Sequence, residues 1–268
     1  MNIGRQDPGF EYSLLPLSER QAQIAEMIRQ KDFISVDELA SHFEVAAQTI
    51  RRDLNLICER GIARRLHGGV QRLNATGNTA YSWRRILNSD AKQAIAGEVA
   101  RHVPDGASLA FSIGTTPEIV SRALLGHDHL KIFTNNLNIA MLACSNPGFE
   151  VTVAGGRVRN EDRDVMGVGT ETFFNAYKVD VGIYGVAGVD EVGTLLDFYE
   201  EEVRARRVIL QNSRQVFLVL DHTKFGRAAH VRGGRIDEAA MVFCDKMPPE
   251  PICAMLEASG TRLVICGG

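Results

Sequence analysis

The chain lacks a net basic charge, a cysteine pairing pattern and any apolar run long enough to span a bilayer, and each absence removes a class of function. Its 30 Lys and Arg stand against 33 Asp and Glu, a formal net charge of -3. Proteins that coat nucleic acid indiscriminately carry an overall basic balance, so that class is excluded. The five cysteines, Cys58, Cys144, Cys244, Cys253 and Cys266, are odd in number and show no C-x-x-C spacing, which argues against both a disulfide framework and a zinc site. Reduced thiols point to the cytoplasm. No stretch approaches the roughly 18 apolar residues of a membrane span. The first 16 residues contain Asp7, Pro8, Glu11 and Pro16 without the apolar core of an export signal.

Cofactor fingerprints are missing too. No G-x-x-x-x-G-K-[ST] occurs, and Gly182, Gly185 and Gly188 lack G-x-G-x-x-G spacing, so ATP and NAD are disfavoured and no cofactor is expected. His127 and His129 flank Asp128 in an expected loop, with no further ligands at metal spacing. They read as solvated side chains, and no metal is expected.

What is present fits two folded parts. With 268 residues, 45% hydrophobic and 24% charged, the chain is the size of a small domain joined to a larger α/β one. Residues 1–16 mix polar residues, Gly and Pro without a helical period and are expected to form a mobile tail. Residues 17–73 read as a winged helix-turn-helix domain, 74–89 as a linker and 90–268 as a parallel-sheet α/β domain. The linker rests on the small polar run from Asn74 to Thr79; Trp83, the one tryptophan, is placed where the domains meet.

In the first part, Ser18 is a candidate N-cap for a helix carrying Ile24, Met27 and Ile28 on one face. Ser35-Val36-Asp37-Glu38 has the form of a capping box before a second helix that runs to about Phe43. After a three-residue break, Ala47 to Arg60 places Ile50, Leu54 and Ile57 at i, i+4 and i+7, a core-facing stripe, and Gly61 follows as a helix terminator. Gln48, Arg51, Arg52 and Asn55 are turned the other way, with Thr49 beside them. These residue types hydrogen-bond phosphates and base edges in a major groove. Ile62 to Val70 reads as two short strands around a basic turn, a wing bearing Arg64, Arg65 and His67. Between Glu44 and Arg72, six arginines against three carboxylates leave a local balance of +3 inside an acidic chain. Exposed arginines often serve only solubility, but here they follow a helix-turn break and adjoin a basic wing. Asp53, whose charge would repel phosphate, is expected to orient an arginine by an ion pair.

Beyond Ser89, apolar strands alternate with helices, the pattern of a parallel sheet covered on both faces. Strands are expected at 108–113, 130–134, 150–154, 179–184, 215–221, 241–244 and 262–266. In such sheets ligands bind beyond the carboxyl ends of the strands. Gly114-Thr115-Thr116-Pro117 offers hydroxyls and free amides at a helix start, suited to an anion. Asn135 and Asn136, then Gly155, Gly156 and Arg157, follow later strands, and Lys224 adds a cation. Each alone is the ordinary chemistry of a turn. Together they point to a small phosphorylated ligand, with Glu202 included among the expected effector-binding residues.

Thr49-Ile50-Arg51-Arg52-Asp53-Leu54 followed by Arg65-Leu66-His67-Gly68-Gly69 resembles the DNA-binding signature of the DeoR family of bacterial repressors, and the likeness runs from about Leu17 to the C-terminus. Gly114 to Glu118, Thr134 to Asn138, Asn212-Ser213-Arg214 and Asp221 to Arg227 carry it into the second part. The resemblance implies a sensor domain similar to sugar-phosphate isomerases and a phosphorylated inducer, glycerol 3-phosphate or, as the alternative, a different sugar phosphate. It also implies repression of genes for that compound's uptake and use; because one recognition helix reads too few bases alone, a homodimer or homotetramer on double-stranded operator DNA is expected. Three positions depart from the family pattern, Asp32 for Gly, Ala46 for a capping Ser and Ser112 for Asp, and Tyr199 stands where a close relative has another Asp. Loss of a Ser cap costs about 0.5–2 kcal/mol.

Two other functions are open to the residues alone. A sugar-phosphate isomerase or hydrolase needs a positioned base; Ser112 is a poor one, leaving Glu202 and Asp221. An activator or architectural DNA protein is disfavoured by the negative overall charge.

Overall fold

The computed structural model describes residues 17–31, 33–59, 62–66, 68–72 and 81–267. The expected tail, the polar run from Asn74 to Thr79, and Asp32, Arg60, Gly61 and His67 lie outside the described residues, as do the side chains of Arg72 and Trp83. The chain divides into two compact units, Met1–Leu87 and Asn88–Gly268.

In the first unit, α1 (Glu19–Gln30) begins at Ser18, whose hydroxyl accepts from Gln21 N while the Gln21 side chain accepts from Ser18 N, a reciprocal cap. Strand β1 (Phe33–Ser35) leads into α2 (Val36–His42), where Ser35 Oγ accepts from Glu38 N at 3.0 Å. The second half of the expected capping box is replaced, because the Glu38 carboxylate is engaged by Lys31. Helix α3 (Ala47–Glu59) follows, then β2 (Ala63–Leu66) and β3 (Gly69–Arg72), an antiparallel pair that forms the wing.

Ile50, Leu54 and Ile57 are each 0% exposed and pack with Ile24, Ile28, Ile34, Leu39 and Val70 in one core. Burying each such side chain stabilises the fold by about 1.5–3 kcal/mol. Met27 sits at the margin of this core. The unexpected strand β1 pairs antiparallel with β3, placing Ile34 opposite Val70 and Ser35 opposite Gly69. That pairing explains the two glycines of the wing. Gly68 turns with φ +77°, and a Cβ on Gly69 would lie 2.3 Å from Ile34 O. A short helix, α4 (Tyr81–Ile86), occupies part of the segment expected to be linker.

The second unit is built on seven parallel strands, β4 (Ser108–Phe111), β5 (Lys131–Thr134), β6 (Glu150–Val153), β9 (Val179–Tyr184), β12 (Ser213–Val219), β14 (Met241–Cys244) and β15 (Arg262–Ile265), in the order β15-β14-β12-β9-β4-β5-β6. Helices α5 (Ser89–Arg101), α6 (Thr115–Ala123) and α7 (Leu137–Ala143) bury Ile95, Val99, Val120 and Ile139 against Leu109, Phe111, Ile132, Ile183 and Phe243. Other sheet residues, Leu218 and Val242 among them, pack with Ile252 and Leu256 of α10 (Glu250–Ser259). Both faces of the central strands are covered, which is why they read as continuous apolar runs rather than alternating ones.

Two features go beyond the expected pattern. A hairpin of β7 (Arg157–Arg159) and β8 (Asp164–Met166) precedes α8 (Val168–Asn175). A small sheet is made by β10 (Gly188–Val189), β11 (Thr194–Asp197) and β13 (Val231–Arg235). Between its second and third strands runs α9 (Glu200–Gln211), whose buried Arg206 is paired with Asp197 and donates to Gly233 O at 2.9 Å.

Candidate functional site

In the first unit the core stripe of α3 determines what the helix offers to solvent. Gln48, Arg51, Arg52 and Asn55 are exposed together and Thr49 is half-buried beside them. Ala46, lacking a side-chain acceptor, gives the helix start only its carbonyl, taken by Thr49 N at 2.8 Å and Ile50 N at 3.4 Å. Arg64 and Arg65 are exposed on the wing, and Arg64 Nη2 donates to Gln71 Oε1 across the hairpin at 3.0 Å.

Asp53 is 5% exposed and does have an arginine partner, on another helix. Arg20 Nε donates to Asp53 Oδ2 at 2.7 Å and Gln21 Nε2 donates to Asp53 Oδ1 at 2.9 Å. The carboxylate on the core stripe's border was visible in the sequence, whereas Arg20 and Gln21, 33 and 32 residues away, were not.

In the second unit the other expected residues stand in the segments that follow the strands of the sheet. Gly114, at φ +129°, opens α6 without a side-chain cap, and Thr115 and Thr116 are 6% and 4% exposed. The chief residue absent from the sequence expectations is Lys92. It is 2% exposed on α5, and its Nζ donates to Thr115 Oγ1 at 3.3 Å. Burying an ammonium is costly unless anions or strong acceptors face it. Its spacing held the clue: Lys92, Ile95, Ala96 and Val99 form one buried helical stripe.

Asp221 lies beside this group. Its Oδ1 accepts from Asn88 Nδ2 at 2.9 Å and Thr223 N at 3.1 Å, and from the Thr223 hydroxyl. Burial pushes the Asp221 carboxyl up, but Lys224, the Thr223 hydrogen bonds and Lys92 together outweigh it and hold the carboxyl below its ordinary value. An ionised carboxylate bonded in this way is a poor general base.

Thr134, Asn135 and Asn136 at the end of β5 are all buried. Asn136 Oδ1 accepts from Asn138 N at 2.9 Å and Ile139 N at 3.2 Å, capping α7, so its carbonyl is committed to structure. Asn135 Nδ2 donates to Val165 O at 2.9 Å, while its buried Oδ1 has no partner among the described residues. Gly155, Gly156 and Arg157 are exposed. Their neighbour Arg159 is the organising cation: it meets Asp164 through two bonds of 3.1 and 2.6 Å, Glu202 at 2.8 Å and Asp162 at 3.0 Å, under the Tyr199 ring at 4.8 Å. Burial lowers the Arg159 pKa, but the three carboxylates more than reverse this and the net shift is upward. Glu202 is therefore held as an ion-pair partner of Arg159, which weakens it as a candidate base.

Residues 20–76 match the DeoR-like helix-turn-helix domain, and residues 87–246 match the DeoR C terminal sensor domain. The chain belongs to the DeoR family. It is 40% identical over 249 residues to the glycerol-3-phosphate regulon repressor of Escherichia coli K12, covering 93% of this chain and 99% of that one. It is 42% identical over 251 residues to the protein of the same name from Haemophilus influenzae, covering 94% and 98%. The transcriptional repressor CsqR of Escherichia coli K12 is 34% identical, covering 92% and 94%. With relatives that are named repressors along their whole length, this DeoR-family chain is a regulator rather than an enzyme.

Among solved structures, ribose 5-phosphate isomerase A from Neisseria gonorrhoeae is similar at 13% identity and a TM-score of 0.38, covering 55% of this chain and 56% of that one. A probable sor operon regulator from Shigella flexneri is similar at 10% identity and a TM-score of 0.37, covering 51% and 76%. The fold assignment rests on the sheet order and on the family domains.

Proposed function

We propose that this DeoR-family regulator represses genes of glycerol and glycerol 3-phosphate metabolism by binding operator DNA, and that glycerol 3-phosphate releases it. The observation that carries the DNA half is the face of α3, where Gln48, Arg51, Arg52 and Asn55 are exposed together opposite a stripe that is 0% exposed. That face enters the major groove, and Arg64, Arg65 and His67 hold the backbone. One such helix reads too few bases for specificity, so the working form is a homodimer or homotetramer on paired half-sites. The absence of any helix long and apolar enough to cross a membrane among the described residues is compatible with action in the cytoplasm.

The effector half is supported by the names of the relatives and by the buried Lys92 next to Thr115 at the start of α6. There the phosphate receives helix-terminal amides, the Thr115 and Thr116 hydroxyls and two cations, Lys92 and Lys224. Asn135 and Glu202, with Gly155, Gly156 and Arg157 at the rim, border the remainder of the molecule. The resemblance puts an Asp where Ser112 stands and, in a close relative, another where Tyr199 stands, so a different sugar phosphate is the alternative effector. Release requires the effector to bind the DNA-free arrangement more tightly than the DNA-bound one.

Footprinting with purified protein tests both halves. Protection at discrete repeats that is lost on adding millimolar glycerol 3-phosphate is the expected result. Uniform coating removes the repressor reading, and protection that no glycerol 3-phosphate concentration reverses removes that effector.

A further inference from the structure

Asp53 and Arg20 form a half-buried contact between the first and third helices. On a helix that turns about 100° per residue, Asp53 lies one position after the exposed Arg52 and one turn after Thr49, on the border between core stripe and exposed face. Its carboxylate is filled from α1 on both oxygens, by Arg20 Nε at 2.7 Å and Gln21 Nε2 at 2.9 Å. Gln21 cannot drift, because its Oε1 accepts from Ser18 N at 3.0 Å in the α1 cap. Arg20 is fixed differently. The bond through Nε uses one of the five N–H donors of a guanidinium, and 37% of the side chain remains exposed against 7% for Asp53.

We propose that Arg20 is a DNA-backbone ligand: Asp53 holds its guanidinium by Nε, and the remaining Nη donors take a phosphate oxygen next to the groove that α3 enters. The inference rests on the DNA reading given above. Its chemistry follows from the geometry. A guanidinium oriented in advance loses less rotamer freedom on meeting a phosphate than a free surface arginine, and its fork matches the anion's two oxygens. Asp53 is a positioning residue in this scheme. It ties the phosphate contact to the helix that carries Arg51, Arg52 and Asn55, so the register on the backbone and the base-reading face move as one body.

The test uses the full-length protein, a duplex that the wild type selects from random sequence, and binding measured across a salt series. Replacing one phosphate contact lowers the slope of log affinity against log salt by about 0.9. Arg20→Gln is expected to lose about one unit of slope and about tenfold in affinity. Arg20→Lys keeps the charge and is expected to keep the slope while losing affinity, because an ammonium has no second fork to present. Asp53→Asn, with Arg20 retained but unheld, is expected to lose affinity at an unchanged slope. Arg101→Gln, an exposed change in the other unit, serves as the control with wild-type slope. Thermal unfolding of each variant separates folding loss from contact loss.

A wild-type slope for folded Arg20→Gln overturns the proposal, because a clamp that only holds helices together moves stability and not counterion release. Equal slope loss in Arg20→Gln and Arg20→Lys overturns it as well. A wild type that selects no duplex removes the DNA reading itself, and this inference with it.

Discussion

Replacing Lys92 by Met removes one charge from the sensor unit while preserving the length of the side chain. The lysine is 2% exposed and its Nζ lies 3.3 Å from Thr115 Oγ1, so it faces the start of α6 from inside the unit. A hydrogen bond to a charged group contributes about 1.5–3 kcal/mol. Its loss therefore weakens effector binding about tenfold to a hundredfold. Stability without effector also falls, because Lys92 helps to hold the buried Asp221 carboxylate ionised and removing one of two buried opposite charges leaves the other less compensated. The two effects separate in a thermal-shift titration. Where effector at a hundred times its dissociation constant stabilises the wild type by about 2.7 kcal/mol, a tenfold weaker variant gains about 1.4 kcal/mol at the same concentration. Operator affinity without effector should match wild type, and release should need tenfold or more additional glycerol 3-phosphate. Release of Lys92→Met at the wild-type concentration would refute the placement of the phosphate beside this lysine.

In the first unit, Arg52→Ala is expected to abolish operator-specific binding, measured by footprinting, while the thermal response to effector persists. Arg64→Ala should weaken binding across sequences and lower the salt slope by roughly one. Gly69→Val forces a Cβ to within 2.3 Å of Ile34 O, so β1 must part from β3; overpacking of this kind costs about 1–3 kcal/mol, readable as a lower melting temperature. Asp221 has a folded pKa below its unfolded value of 3.8, so its contribution to stability is complete above that value and is lost as pH falls through the folded pKa. Asp221→Asn should flatten the acid limb of a plot of melting temperature against pH, and an unchanged limb would count against the hydrogen bonds assigned to this carboxylate.

Local patterns carried most of the first unit. Ile50, Leu54 and Ile57 recur at helical spacing and are fully buried, and Ser18 caps its helix as its position suggested. Strand β1 escaped because three residues contain no readable period, and only its pairing with β3, more than thirty residues away, makes it a strand. Glu38 shows the same limit on a smaller scale. The capping-box spelling was correct, yet a lysine ahead of the helix competes for the carboxylate, and spelling does not rank competitors. The seven parallel strands were legible as apolar runs, whereas β10 and β11 are too short and too mixed to stand out from the turns around them.

The sensor residues divide by a similar rule. Loops after strands announce themselves by Gly, Thr and Asn, but which of those side chains is available depends on contacts made far along the chain. Asn136 spends its carbonyl on the start of α7, and Glu202 is held by Arg159 on a hairpin 43 residues earlier. Arg157 and Arg159 are interchangeable by composition, and only the second lies among Asp162, Asp164 and Glu202. Lys92 is the opposite case. A lysine at the head of the buried stripe Ile95, Ala96 and Val99 breaks the binary pattern of α5, and such a break marks a buried charge that needs polar partners. Reading for such exceptions in an amphipathic stripe therefore finds candidate residues that motif spelling passes over. Asp53 on the border of the α3 core is the same signal in the other unit, with Arg20 as the partner that makes its burial tolerable.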